Sequence, residues 1–469
     1  MTTVTDTTST STATRMVTGA EASAIRSGAP VPAHLPQRLA ITLWDFSWYV
    51  RTGPGEPFED LDRAFARAVE LGYNAVRVCA MPFLLFRSGI DTTALRLGPI
   101  GGGYASRVRW YDVREPTTID ARARLLELFR GADRHGMTVI ASSWEYQQSP
   151  AFAAERAWYD ALQAVDPEDR LTVLGEAMAD LVDLLKAEGL DHVLAYVEPH
   201  NEVQAGHLTT GLPGIEDPVV ELRDRLERGI AAFSARHPDV LCGPNYAAVP
   251  VTAMRGLPRN AQVLGVHPYV YGVLDVLVRE FALRGEAADF PQGRADAELL
   301  RPGAPRLAEW APPADEEWKR RASIVGHAEI YVHDWCDPEA VDRWLYDRYG
   351  AHRLAMAERL REWIGVAADH AARLGIPLVL GEGWVGYTPR DTRFEEGPVG
   401  AQICRDAVRH ADAVGAWGSV VCSNAAPQHA MWDDEQLQRE CTAMLRQGRF
   451  ASTPSASRTW VGEERVNGA

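Results

Sequence analysis

An alternation constrains this chain more than any other feature. From Leu39 to about Phe450, short apolar runs are each followed by a longer segment with helical spacing. The runs are LAITLW (39–44), NAVRVCA (74–80), MTVIASSW (137–144), HVLAYVEP (192–199), VLCGP (240–244), QVLGVHPY (262–269), PLVLGEG (377–383) and GSVVCSN (418–424). Between them lie amphipathic stretches such as EDLDRAFARAVELG (59–72), IDARARLLELFRGADRHG (119–136) and VLGEAMADLVDLLKAEGL (173–190), several closed by a glycine of the kind that caps helix C-termini. Parallel strands need crossovers and helices supply them, so alternating β and α elements imply a parallel sheet. Eight such units predict an α/β chain folded as a (β/α)8 TIM barrel, with a doubly wound open sheet as the competing architecture.

Two segments exceed a minimal unit. Residues 81–116, which contain GPIGGGY, form a loop insertion after the second strand, and residues 271–345, rich in Trp, Tyr, Pro and charge, follow the sixth. Connections of that length are seldom idle, and a lid or substrate-binding subdomain at the active-site rim is expected, with a rim-packing helical pair or a dimerisation element as alternatives. Residues 1–35 and 451–469 lack any sustained period and are expected to be disordered tails flanking a barrel at 36–450.

Composition narrows the partners. With 46 % hydrophobic residues among 469, the chain can bury a sizeable core. Its 48 Lys and Arg against 64 Asp and Glu leave a net charge of −16, which opposes nucleic acid and anionic membrane as partners. The six cysteines form no CxxC pair and no zinc spacing, so they are expected as free thiols. The N-terminal stretch lacks the apolar core of a secretory signal, and no run of about 20 apolar residues occurs. A cytoplasmic setting is expected.

In a (β/α)8 barrel the active site sits at the C-terminal ends of the strands, so polar residues that end apolar runs are informative. Strand four ends Glu198-Pro199-His200-Asn201-Glu202 and strand seven ends Gly381-Glu382-Gly383-Trp384, placing a carboxylate from each at one rim. Two carboxylates facing each other across a rim are what glycosidic bond cleavage requires. Rim salt bridges are the structural alternative. Arg77 on strand two, Asn201 before Glu202, and His267-Pro268-Tyr269 ending strand six add to the constellation.

These positions together resemble the retaining (β/α)8 glycoside hydrolases of clan A, the cellulase-like superfamily. In that clan an Asn-Glu pair ends strand four, a Glu ends strand seven, an Arg sits on strand two, and His and Tyr end strand six. The opening ITLWDFSWYVRTGPGEPFEDLDRAFARAVELGYNAVRV also looks like the start of cellulase-like proteins, and the resemblance spans about residues 39–432. It implies Glu202 as general acid/base, Glu382 as nucleophile, Asn201 on the sugar 2-OH, and Arg77 and Tyr269 as the groups that hold Glu382 ionised. His267 is expected either to touch substrate or to order the rim, and Glu198 to bind Arg77. The chain departs from the endoglucanase pattern at Val203, where a proline is usual, and at Ser142-Ser143-Trp144-Glu145, where many relatives place a histidine.

Sugar rings stack on aromatic faces, so Trp44, Trp48, Trp144, Trp384 and Trp432, each near a strand end, are candidate platforms, with core packing as the alternative. Asp45, Glu145 and Asn424 end strands one, three and eight and are candidate hydroxyl ligands. The expected function is a retaining glycosidase acting on a β-type (equatorial) bond in short oligosaccharides or small glycosides. It needs no cofactor and no metal, and a homo-oligomer is compatible with it. Alternatives are a transglycosylase on the same site, a non-catalytic carbohydrate-binding barrel, and a metal-dependent hydrolase using His200, His207, His267, His327 or His333, whose spacings contain no HxH or HExxH.

Overall fold

Residues 31–386 and 388–447 are described by a computed structural model. The expected tail segments 1–30 and 451–469 lie outside the described residues. Eight parallel strands form one sheet: β1 (Leu39–Asp45), β2 (Ala75–Cys79), β3 (Thr138–Ser142), β4 (Leu194–Val197), β5 (Asn245–Tyr246), β6 (Leu264–Val266), β7 (Leu378–Leu380) and β8 (Gly418–Val420). Their order around the sheet is β4-β3-β2-β1-β8-β7-β6-β5. The ends meet through a parallel bridge, Val197 to Cys242, where Val197 N donates to Leu241 O at 3.0 Å and Gly243 N to Val197 O at 3.1 Å. The sheet is therefore a closed (β/α)8 barrel, and the open-sheet alternative is set aside.

Every strand coincides with a predicted apolar run except the fifth, displaced from 240–244 to Asn245–Tyr246. Pro244 has no N–H to give the ladder, which leaves Cys242 as an isolated bridge before the strand proper. The barrel strands are buried along their whole length, as a parallel sheet covered by helices demands.

Among the described residues, seven helices of ten or more residues surround it: α1 (Leu61–Glu70), α2 (Ala121–Arg134), α3 (Arg170–Ala187), α4 (Arg223–Arg236), α5 (Pro338–Leu374), α6 (Pro398–Ala413) and α7 (Glu435–Gln447). Their starts carry local reasons. The Asp60 and Asp120 side chains accept from backbone N–H groups in the first turns of α1 and α2, and Asp337 does so for α5, with Pro338 behind it. Helix α5 ends at Gly375 in the left-handed region, φ +67°.

The two insertions meet over the barrel mouth. A short antiparallel ribbon pairs Leu95–Leu97 of the first insertion with Thr117–Ile119 just after it, and the sequence reading missed it because alternation over three residues carries no signal. Asp334 of the second insertion accepts from the backbone N–H groups of Ala105 and Arg107, at 2.6 and 2.8 Å. Tyr104 stacks on His327 and Trp310, and the Lys319 ammonium donates to the Pro99 carbonyl at 3.1 Å. Among the described residues, no helix is long and apolar enough to cross a membrane.

Candidate active site

Arg77, at the centre of β2, is wholly buried and would be intolerable there without partners. Its guanidinium donates through Nε and Nη2 to Glu198 Oε2 (2.9 and 2.7 Å), through Nη1 to Glu382 Oε1 (2.8 Å), and through Nη2 to Asn201 Oδ1 (2.6 Å). Burial works against its charge, but Glu198 and Glu382 more than offset that and hold its pKa above the ordinary arginine value. The Trp144 ring covers the guanidinium at 4.6 Å. Glu198 thus faces the barrel interior, where Tyr196 Oη and Asn245 Nδ2 also donate to it at 3.0 and 2.8 Å.

The two rim carboxylates meet. An oxygen of Glu202 and one of Glu382 lie within 4.8 Å of each other and of a His267 ring nitrogen. Their surroundings differ sharply. Glu382 takes hydrogen bonds from Arg77 Nη1 and from Tyr269 Oη, each at 2.8 Å. Glu202 has no bonded cation. Gln147 Nε2 donates to its Oε2 at 2.9 Å and His267 Nδ1 lies 2.9 Å from its Oε1. Burial pushes the Glu202 carboxyl up to about 7, against the opposing pull of the Gln147 hydrogen bond and the Arg77 charge. Burial also lowers His267 to about 4, so its ring is neutral at pH 7.

Backbone and neighbours hold this pair in place. Glu202 sits in the left-handed region, φ +46°, and its N–H donates to Asn245 Oδ1. Asn201 Nδ2 donates to Gln147 Oε1 at 2.8 Å, so Gln147 bridges the Asn-Glu pair. Among the described residues, Glu202, His267 and Glu382 are the one group of three acidic or imidazole donors near enough to share an ion. The Arg77 cation beside Glu382 already supplies the compensating charge and disfavours a second one. The other histidines of the metal alternative are engaged separately. His200 Nε2 accepts from Tyr146 N, His207 meets the Ser323 carbonyl, His327 meets Tyr104 Oη, and His333 packs edge-on against Trp110.

Above the pair opens a cleft of about 380 Å³. Of the predicted substrate residues, Asn201, Tyr269, Trp144, Asp45 and Asn424 line it; Arg77 and His267 lie just beneath. Burial raises Asp45 to about 7, and among the described residues the buried Asn424 Nδ2 has no hydrogen-bond partner. Five candidates lie off the cleft. Trp44 turns outward onto Phe58 and Phe65, whereas Leu43 and Asp45 on either side of it line the cleft. Trp48 is buried and donates to the Cys79 carbonyl; Trp432 stacks on Tyr73. Trp384 is buried with Nε1 bonded to the Val421 carbonyl, and it lines a separate cavity between α5 and α6. Glu145 accepts from the N–H groups of Phe83 and Leu84 and from Trp158, serving the start of the first insertion.

Several lining residues were missed. Gln147 lies two residues beyond the flagged Glu145, so extending that end would have found it, whereas Ser423 lay inside the run 418–424 and was passed over beside Asn424. Arg109, Trp110, Tyr271, Arg284 and Glu329 come from the two insertions, where no period fixes direction. Arg284 lies over the Tyr271 ring at 5.0 Å and meets Glu329 at 3.3 Å.

The fold is a (β/α)8 barrel with a buried carboxylate pair at the C-terminal mouth of its strands. Residues 41–163 match the model of the cellulase-like family, described as sugar-binding cellulase-like. A protein from Parabacteroides distasonis ATCC 8503, provisionally described as a glycoside hydrolase, shares the fold at TM-score 0.64 and 17 % identity, over 90 % of this chain and 97 % of that one. Also similar are a GH5_18 protein from Streptomyces cattleya in complex with GlcNAc (TM-score 0.45, 12 % identity, 88 % and 80 % covered) and a glycoside hydrolase family 5 mannosidase from Rhizomucor miehei (0.42, 12 %, 90 % and 98 %). No curated protein matches by sequence. The family-model match covers residues 41–163, and the structural likeness extends the (β/α)8 fold to most of the chain.

Proposed function

We propose that this protein hydrolyses an equatorial (β-type) glycosidic bond with retention of configuration, by double displacement, in short oligosaccharides or small glycosides. The observation that carries the reading is the unequal treatment of two adjacent carboxylates. Oxygens within 4.8 Å suit the short separation of retaining enzymes, about 5–5.5 Å, better than the about 6.5–9.5 Å of inverting ones. Glu382, ion-paired to Arg77 and bonded by Tyr269, is the nucleophile; its carboxylate attacks the anomeric carbon as the leaving-group oxygen departs. Glu202, with its pKa near 7, is populated as the acid that protonates that oxygen, and as a carboxylate it then takes a proton from the water that cleaves the glycosyl ester.

Asn201 is suited to the sugar 2-OH, since Arg77 and Gln147 fix its amide plane. Asp45 and Asn424 are suited to further hydroxyls, Asn424 through its unspent N–H. We assign His267 to positioning Glu202 and Trp144 to covering Arg77 at the cleft floor. A small substrate is supported by the shape of the cleft. Loops after all eight strands contribute to its wall, from Phe46 after β1 to His429 after β8, with Ile324 and Val325 of the second insertion among them. We read residues 36–450 as one catalytic barrel with the 81–116 and 271–345 insertions as its roof. Six buried free thiols suit a reducing cytoplasm.

The test is intact-protein mass spectrometry after incubation with a panel of 2-deoxy-2-fluoro β-glycosides. One sugar adduct on the wild type that is absent in Glu382→Gln is the expected result. Labelling that persists in Glu382→Gln would overturn the assignment of the nucleophile. Binding of oligosaccharides with neither labelling nor turnover would favour a carbohydrate-binding barrel.

A further inference from the structure

The nucleophile's surroundings contain one side chain that neither the paired carboxylates nor the sugar contacts require. Ser423, three residues beyond β8, sits between Tyr269 and the peptide that follows Glu382. Its Oγ lies 2.6 Å from Tyr269 Oη and 2.9 Å from the Gly383 N–H. Its own N–H donates to the Gly383 carbonyl at 2.7 Å.

Counting protons fixes the direction of these bonds. Glu382, paired to Arg77, can only accept, so the single phenolic proton of Tyr269 goes to Glu382 Oε2. Tyr269 Oη must then accept at 2.6 Å, and the donor is the Ser423 hydroxyl. Ser423 Oγ, having given its proton, accepts from Gly383 N–H. The chain runs one way, from Gly383 N–H to Ser423 to Tyr269 to Glu382, and each donor is polarised by the one behind it. A peptide N–H cannot reverse its role, so the chain favours a carboxylate with its charge intact.

We propose that Ser423 is a positioning residue for the nucleophile. By holding the Tyr269 hydroxyl as a donor, and by tying that donor to the backbone next to Glu382, it keeps the carboxylate charged and aimed. This rests on the reading of Glu382 as nucleophile. The charged and titratable groups facing Glu382 are Arg77 from β2, Glu198 and Glu202 after β4, His267 and Tyr269 after β6, and Asp45 after β1. Of these, Tyr269 alone is bonded to the Ser423 side chain, so substitution at Ser423 acts on Glu382 through that hydroxyl.

The test compares Ser423→Ala, which deletes the link, with Ser423→Thr, which keeps the hydroxyl. Two readouts are taken: the acid limb of kcat/KM on a glycoside that labels the wild type, and the ¹³C-carboxyl titration of Glu382 in unliganded protein, assigned by its loss in Glu382→Gln. Ser423→Ala is expected to move both upward by about half to one pH unit, with KM changed less than about twofold and Ser423→Thr close to wild type. On a Tyr269→Phe background, Ser423→Ala should add nothing further, since the link it feeds is already gone. An unmoved titration in a Ser423→Ala protein of wild-type thermal stability would overturn the proposal, as would full additivity with Tyr269→Phe. If Ser423→Ala does not fold, Ser423→Cys, whose thiol is a weaker donor, replaces it with the same direction expected. Because the carboxyl titration uses no substrate, it judges the donor chain even if persistent turnover in Glu382→Gln removes the nucleophile reading.

Discussion

Glu202 and Glu382 are the same residue type in one cleft, and their partners alone separate them. Each of the buried carboxyls Asp45, Glu145 and Glu202 is held near 7, chiefly by burial. These folded-state values stand above the ordinary carboxylate value of about 4, so between the two the folded chain keeps protons that the unfolded chain has released. The stability they contribute is fully present below about pH 4 and is lost as pH rises through 7. Glu202→Gln should therefore melt higher than wild type at pH 8, by about 2 °C, with the gap closing near pH 4, as thermal melts across that range would show. A higher wild-type melting point at pH 8 would mean that Glu202 is not strained by burial. If Glu202 is the proposed proton donor, the same substitution cuts turnover at least about a hundredfold for substrates with poor leaving groups.

At the scale of elements, close helix packing and the loop clasp do separate jobs. Helices α3 and α4 cross at Gly175 and Gly229, where a Cβ on Gly175 would lie 2.2 Å from the Gly229 carbonyl oxygen and one on Gly229 2.3 Å from the Leu171 carbonyl oxygen. Backbone cannot yield as a flexible side chain can, so Gly175→Ala should destabilise the protein by about 1–3 kcal/mol, measured by chemical denaturation. Asp334, which holds the backbone of Ala105 and Arg107, ties the two insertions together. In Asp334→Ala, proteolysis within 98–112 should accelerate while the melting of the barrel moves little. Unchanged cleavage there would show that the Tyr104 stack alone suffices.

Across the whole molecule, the barrel is not equally strong around its circumference. Strand β2 pairs with β3 over five consecutive residues, whereas β4 meets the fifth unit through a single bridge at Cys242 beside a proline. Amide exchange should accordingly be fastest among barrel strands at 241–246 and slowest in β2 and β3, measurable by hydrogen exchange with mass spectrometry. Exchange at 241–246 as slow as in β2 would show that the packing of Gly243 against the Val263 carbonyl, where a Cβ would come within 2.0 Å, closes the seam as tightly as a ladder does.

The eight strands were legible in sequence because burial on both faces writes a continuous apolar run; Asn201, Glu202, His267, Tyr269 and Glu382 were legible because they follow the ends of such runs, and Arg77 because it is a charge inside one. The direction of individual side chains beyond the strand ends was not. Trp44 and Asp45 are adjacent in sequence and opposite in direction, Trp384 follows the Glu382-Gly383 pair yet turns away into the helices, and the insertions reach the cleft only because Tyr104, Asp334 and their neighbours fold them over it. Periodicity and strand-end polarity are local and can be read along one chain. Which oxygen meets Arg77, which hydroxyl feeds Tyr269 and which carboxyl stays dry depend on groups up to 305 residues apart, and only tertiary packing brings these together.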